Sequence, residues 1–162
     1  MQKQKFRQFE VRQGAYQKYT NITEDVQKVI DEWDIANGHV HVMVMHTTCT
    51  LLIQEAESWM INADLFRVLE ELASAEGHYR HDDLSVRTEN LDPNRQERKN
   101  GFAHVRAMLV GKPEYTIPVQ DGKLFLGRWQ RILLLDFDTR ERIQSRTVTV
   151  SMIENPKFTG EG

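Results

Sequence analysis

The chain has 162 residues, 40% hydrophobic and 28% charged, with a formal net charge of −3. That composition is ordinary for a globular protein, and the mild negative charge excludes the overall basic field expected of a nucleic-acid binder. No apolar run approaches the roughly 20 residues of a membrane span, the start Met1-Gln2-Lys3-Gln4-Lys5 lacks a signal-peptide core, and a lone cysteine, Cys49, forbids an intrachain disulfide, so the expectation is one cytoplasmic domain with no nucleic-acid or membrane partner.

Phe6 to Val11 reads as a strand, and Gly14 to Thr20 as a second extended piece. A helix starts near Asn21, with Glu24 completing a capping box. Val26, Val29, Ile30 and Trp33 supply its apolar stripe, and Gly38 is its stop. His39 to Met45 alternates with period two, so Val40, Val42 and Val44 share a face and His46 continues their parity at the strand's end. A short strand covers Thr50 to Gln54. A second helix spans about Ala56 to Ser74, with Trp59, Ala63, Phe66 and Leu69 at helical spacing and Gly77 closing it.

His78 to Gly101 has no periodicity. Stretches that long inside a domain are usually functional or disordered. Phe102 to Val110 reads as a short helix ending at Gly111. Tyr115 to Val119 and Lys123 to Leu126 flank Asp121-Gly122, a hairpin signal. Trp129 to Phe137 is a central strand, Arg140-Glu141 a turn and Thr147 to Ile153 the last strand, with 155–162 a loose tail beyond a core of about 5–154. Strands and helices mix without βαβ alternation. The predicted class is therefore α+β: a mixed or largely antiparallel sheet, two main helices and a short third.

His46, His81 and His104 come from a strand end, the long loop and the short helix. Neutral imidazoles gathered from separate elements can bind zinc or another divalent metal, or they can hold an anion, with a histidine donating a proton to phosphate. Asp82 fits a ligand, a partner to His81 or a general base, and Glu55 is a second carboxylate candidate. His39 and His41 fit a solvent-facing or interface side of their strand, and His78 a surface loop. Cys49 reads as a nucleophile beside His46 or as a small buried residue. Arg80, Arg87, Arg95, Arg98, Lys99 and Arg106 are mostly a solvated mixed-charge surface, with one or two able to grip a phosphate. Asn100-Gly101, opening a helix, is a weak anion signal. The loop from Tyr79 to Gly101 is expected to border the histidine cleft, because His81-Asp82 begins it and His104 follows it.

The order of the motifs adds more. His46-Thr47-Thr48, Ile53-Gln54-Glu55, Tyr79-Arg80-His81-Asp82, Ala103-His104-Val105-Arg106-Ala107, Leu109-Val110-Gly111, Ile117-Pro118-Val119, Asp121-Gly122-Lys123-Leu124 and Leu126-Gly127-Arg128-Trp129-Gln130 follow one another. Over residues 5 to 154 the chain resembles the YjbQ-like family, some members of which are described as secondary thiamine-phosphate synthases. The resemblance implies a homotrimer. It also implies a pocket with catalytic and potentially metal-binding His46, His81 and His104 flanked by Asp82 and Glu55. Thr47, Thr48, Arg80, Arg106, Trp129 and Gln130 would contact a phosphorylated small-molecule substrate, and zinc or magnesium is the implied cofactor. The implied reaction joins a pyrimidine diphosphate to a thiazole phosphate and releases pyrophosphate. A metal-dependent hydrolase and a non-enzymatic anion-binding trimer are the alternatives. The chain departs from the family at Gln54-Glu55-Ala56, where Asn-Glu-Asn is usual, at Phe102, where a histidine is frequent, and in its longer loop after Asp82, so the rim facing the substrate has changed while the histidines remain.

Overall fold

The alternating segments form strands. The computed structural model describes residues 4–139 and 143–154; Arg140-Glu141 and the tail lie outside them. The strands are Gln4–Gln13 (β1), Tyr19–Asn21 (β2), Gly38–Val44 (β3), Cys49–Glu55 (β4), Glu114–Gln120 (β5), Lys123–Leu124 (β6), Gln130–Asp136 (β7) and Gln144–Glu154 (β8). They make two sheets, ordered β1-β8-β3-β5-β6 and β2-β7-β4. Every pairing is antiparallel, so the predicted α+β class holds in its antiparallel form.

Alternation explains the layers. Val40, Val42, Val44, Val148 and Val150 turn the inner face of the larger sheet toward Leu51, Ile132 and Leu134 of the smaller one. Leu133 and Leu135 point the other way, into a second cluster with Ile61, Phe66, Leu69, Phe102 and Ala103. The small sheet is thus the middle layer. Both its faces are covered, which is why β7 reads as a continuous apolar run and not as an alternation. Each fully buried leucine or isoleucine there contributes about 1.5–3 kcal/mol.

Helix Thr23–Trp33 (α1) buries Val26, Val29 and Ile30 against the first cluster. It begins after the predicted start, and no capping box forms. Ile22 occupies the capping position, while the Asn21 side chain accepts from the Thr23 N–H at 3.1 Å. It also stops before Gly38, because Asp34 takes the left-handed conformation at φ 51°.

The second helix differs in pitch. It runs as a π-helix over Met60–Leu65 and as an α-helix over Phe66–Leu72 (α2). The wider turn shifts the phase of the buried face, so Ile61, Phe66 and Leu69 are inside, while Trp59 of the predicted stripe is 78% exposed. Helix Gly101–Val110 (α3) matches its prediction, with Gly111 left-handed at φ 72°. In the β5–β6 hairpin, Asp121 and Gly122 have φ 51° and 75°, as a two-residue type I′ turn requires. No helix among the described residues is long and apolar enough to cross a membrane.

Candidate functional site

The end of β3, the long loop and α3 meet where the sequence places its histidines. A single 3₁₀ turn, Arg80–Asp82, holds His81. Asp82 Oδ1 lies 3.2 Å from His81 Nδ1 and also accepts the Gly101 N–H at 2.9 Å. The helix start that resembled an anion site is therefore occupied by the chain's own carboxylate. The same contact sets the helix against the turn, and the His81 and His104 rings come to 4.5 Å between centroids.

That approach depends on a missing side chain. A Cβ built on Gly101 would lie 2.5 Å from Tyr79 Cβ. Gly101→Ala should destabilise the fold by about 1–3 kcal/mol, the usual cost of overpacking, and separate the two rings. Urea denaturation together with histidine ring NMR would detect both effects; unchanged stability would show that the contact relaxes freely.

His46 lies beyond β3, against β8. The Thr147 N–H donates to its Nε2 at 3.3 Å, and an Arg146 guanidinium nitrogen stands 3.4 Å from its Nδ1. Both ring nitrogens face donors. Burial, and then the Arg146 charge, hold the imidazole below its ordinary pKa. Arg146 is in turn gripped through Nε and Nη2 by Asp136, whose side chain is fully buried. Cys49 adjoins this pair. Burial first, then Asp136, push its thiol far above the ordinary range, so it is a small buried residue and not an activated nucleophile.

His104 is half-buried and bonds to the Thr47 backbone, which links α3 to the end of β3. Burial, then neighbouring His81, keep it below the ordinary histidine value. Two imidazoles this close resist carrying charge together.

The histidines do not share one cavity. His81 and His104 line a polar cavity of about 880 Å³ bordered by Arg80, Arg95 and Arg98. His46 and His104 line an adjoining groove of about 730 Å³. Thr47 belongs to both, whereas Thr48 is buried. The described residues contain no group of three His, Cys, Asp or Glu side chains arranged to hold a metal ion. The described residues of one chain therefore do not present the donor set that zinc or magnesium would need.

The long loop borders the polar cavity, as expected. Its arginines serve different ends. Arg87 is its internal brace, donating to the carbonyls of His81, Glu89 and Asn90 and to the Glu97 carboxylate. Arg98 and Asn100 tie the loop to Asp138 at the end of β7. Burial raises the Asp138 pKa against the opposing pull of Arg98.

Four predicted site residues lie elsewhere. Arg106 is buried, bonds to the Ala73 carbonyl and Glu70, and lines neither cavity; it fastens α3 to α2. Hydrogen bonds from Ser74, Ala75 and Arg106 hold Glu70 at about 2. Glu55 pairs with Gln130 at the far end of β4, next to Trp129. At about 3.3 Å per residue, that end is about 20 Å from Cys49. Within one chain, Glu55, Trp129 and Gln130 stand apart from the histidines.

Asp136 and Arg146 were not among the predicted residues. Their signal was parity. Arg146 continues the inward face of Val148, Val150 and Met152, and a charge on a buried face calls for a buried partner.

The sequence profile described as "UPF0047 protein YjbQ-like" matches residues 7–155. A UPF0047 protein of Archaeoglobus fulgidus is 36% identical over 118 residues, 73% of this chain and 79% of the other. One from Synechocystis is 32% identical, covering 80% and 79%. A hypothetical protein from Aeropyrum pernix superimposes with TM-score 0.75 at 26% identity, over 93% of this chain and 99% of the other. An uncharacterized conserved protein of the yjbq/upf0047 family from Clostridium acetobutylicum gives TM-score 0.72 at 26% identity, over 90% and 98%.

Proposed function

The chain belongs to the YjbQ-like, UPF0047 family, and from that premise we propose that it is an enzyme acting on a phosphorylated small molecule at the His81–His104 pair. One observation carries the reading: two imidazoles at 4.5 Å, one of them oriented by Asp82, beside a charged cavity where Arg87, Arg95 and Arg98 are paired with Glu97, Asp92 and Asp138 and Arg80 stands on the rim. Two neighbouring rings that resist joint protonation become compatible once a dianion lies beside them. His81, oriented by its 3.2 Å contact with Asp82, is placed as the proton donor. His104, held neutral, orients the phosphate or accepts a proton. Arg80 supplies charge.

The specific reaction proposed is thiamine-phosphate synthesis. The C–O bond to the diphosphate breaks, and its electron pair leaves with pyrophosphate. A thiazole nitrogen forms the new bond to the pyrimidine methylene carbon. His81 would neutralise charge on the leaving group, the kind of contribution that preorganised donors make in a water-poor site. Purified protein given both phosphorylated precursors should release pyrophosphate. No release, alongside normal turnover by a control synthase, would refute this reaction.

Hydrolysis with zinc or magnesium is the second reading. His81 and His104 are candidate ligands, but the described residues place no third donor with them, so this reading needs one from outside the single chain. A proposed homotrimer offers such a source, and would also let Glu55, Trp129 and Gln130 of one protomer serve a neighbour's histidines. Light scattering at micromolar concentration should give three chain masses; a monomer would remove that source.

A further inference from the structure

We infer that the ligand of this site is bipartite, an anionic phosphate joined to a flat apolar group, with the phosphate in the polar cavity and the apolar group in the groove beside His46. The inference rests on the phosphate reading above and adds the other half of the molecule. The two spaces are contiguous, because Thr47 and His104 line both. Their chemistry is opposite. The first is lined by charged side chains, four arginines against Glu89, Asp92 and Glu97, and the second by Met43, Met45, Met108, Ala107 and Pro113.

Three of the chain's six methionines thus line one groove. Met45 and Met108 are 50% and 73% exposed, although nothing in a core requires them to stand there. Methionine is a flexible, polarisable side chain that packs well on aromatic rings and is favoured on adaptable binding surfaces. A groove of about 730 Å³ lies within the usual range for small-ligand sites. It is large enough for a fused ring. His46 on its floor has both nitrogens directed at donors of the protein, so its exposed surface is the ring itself. The groove offers little to a second charged group and much to a planar apolar one. Its continuity with the phosphate cavity at His104 makes one molecule the natural occupant of both.

The test uses the full chain with labelled methionine methyl groups and three probes: inorganic phosphate, 1-naphthyl phosphate and 1-naphthol. Inorganic phosphate should shift the His81 and His104 ring resonances and leave the Met45 and Met108 methyls unmoved. Naphthyl phosphate should shift both sets and bind at least about tenfold tighter, from the apolar area it buries. Met108→Gln should reduce that advantage severalfold without changing the affinity for inorganic phosphate. Equal affinities for the two phosphates, with silent methyls, would overturn the bipartite ligand and leave the phosphate reading standing. Binding of naphthol alone, or of no probe, would overturn both. Methyl shifts that follow protein concentration and block naphthyl phosphate would show that a second copy of the chain covers the groove, and would also overturn it.

Discussion

Replacing Asp136 with alanine should cost about 3–5 kcal/mol, the usual penalty for stranding a buried charge. The Asp136 side chain has no solvent exposure, and that of Arg146 only 9%. Asp136 also accepts the Asp138 N–H at 2.9 Å, so its loss frees the turn that anchors Arg98 as well. The stranded guanidinium would be left among Cys49, His46 and apolar side chains. The strength of the effect lies in the missing partner, not in the worth of the pair. Exchanging both residues for apolar ones, Asp136→Leu with Arg146→Met, should therefore recover much of the loss, because burying two charges is itself expensive. Urea denaturation of the single and double variants separates these contributions. A single-variant loss below about 1 kcal/mol would mean that water reaches Arg146 easily, as for an exposed pair. His46 reports on the same change, since Arg146 is one of its two neighbours.

How far the fold could be read from sequence depended on periodicity. Val40, Val42 and Val44 declared their strand, and Asp121-Gly122 declared its turn, because each signal is local. The second helix was legible as a helix but not in its pitch. A π turn leaves no composition mark, so the stripe through Trp59 and Ala63 was out of phase with the buried Ile61. The charged residues were harder. Arg106 and Arg87 look like surface arginines among acidic neighbours, yet one fastens two helices and the other braces the loop. Only three-dimensional packing distinguishes those roles. Glu55 is different. Once Thr50 to Gln54 is read as a strand, its length already puts Glu55 far from His46, so this separation was present in the sequence as simple arithmetic on strand rise. The pairing of His81 with His104 depended on Gly101, where the absence of a Cβ lets the loop approach the helix. A glycine beside an asparagine reads equally well as a helix start, so its close approach to Tyr79 has no mark in the sequence.

On the proposed reading, His81→Ala and His104→Ala should each lower turnover of a phosphorylated substrate by at least about 100-fold, the lower end of what a positioned acid or base contributes. His39→Ala, on the exposed face of β3, should leave turnover unchanged. Asp82→Asn should have a smaller effect than His81→Ala, because an amide can still accept the Gly101 N–H and only the contact that orients His81 is altered. Burial and the neighbouring ring depress the His104 value in the free protein. A phosphate dianion favours the charged ring and moves that value upward, so binding takes up protons and strengthens as pH falls toward the His104 value. The stability consequence has the opposite sense. With its folded value depressed, His104 contributes stability that is present above the unfolded value of about 6.5 and is lost as pH falls through the folded value. Bound phosphate should therefore protect the protein most on the acid side. Calorimetry of phosphate binding in two buffers of different ionisation enthalpy measures the proton uptake directly. Equal heats in both buffers, or uptake that persists when His81 and His104 are both replaced by alanine, would show that the ring pair is not the phosphate site.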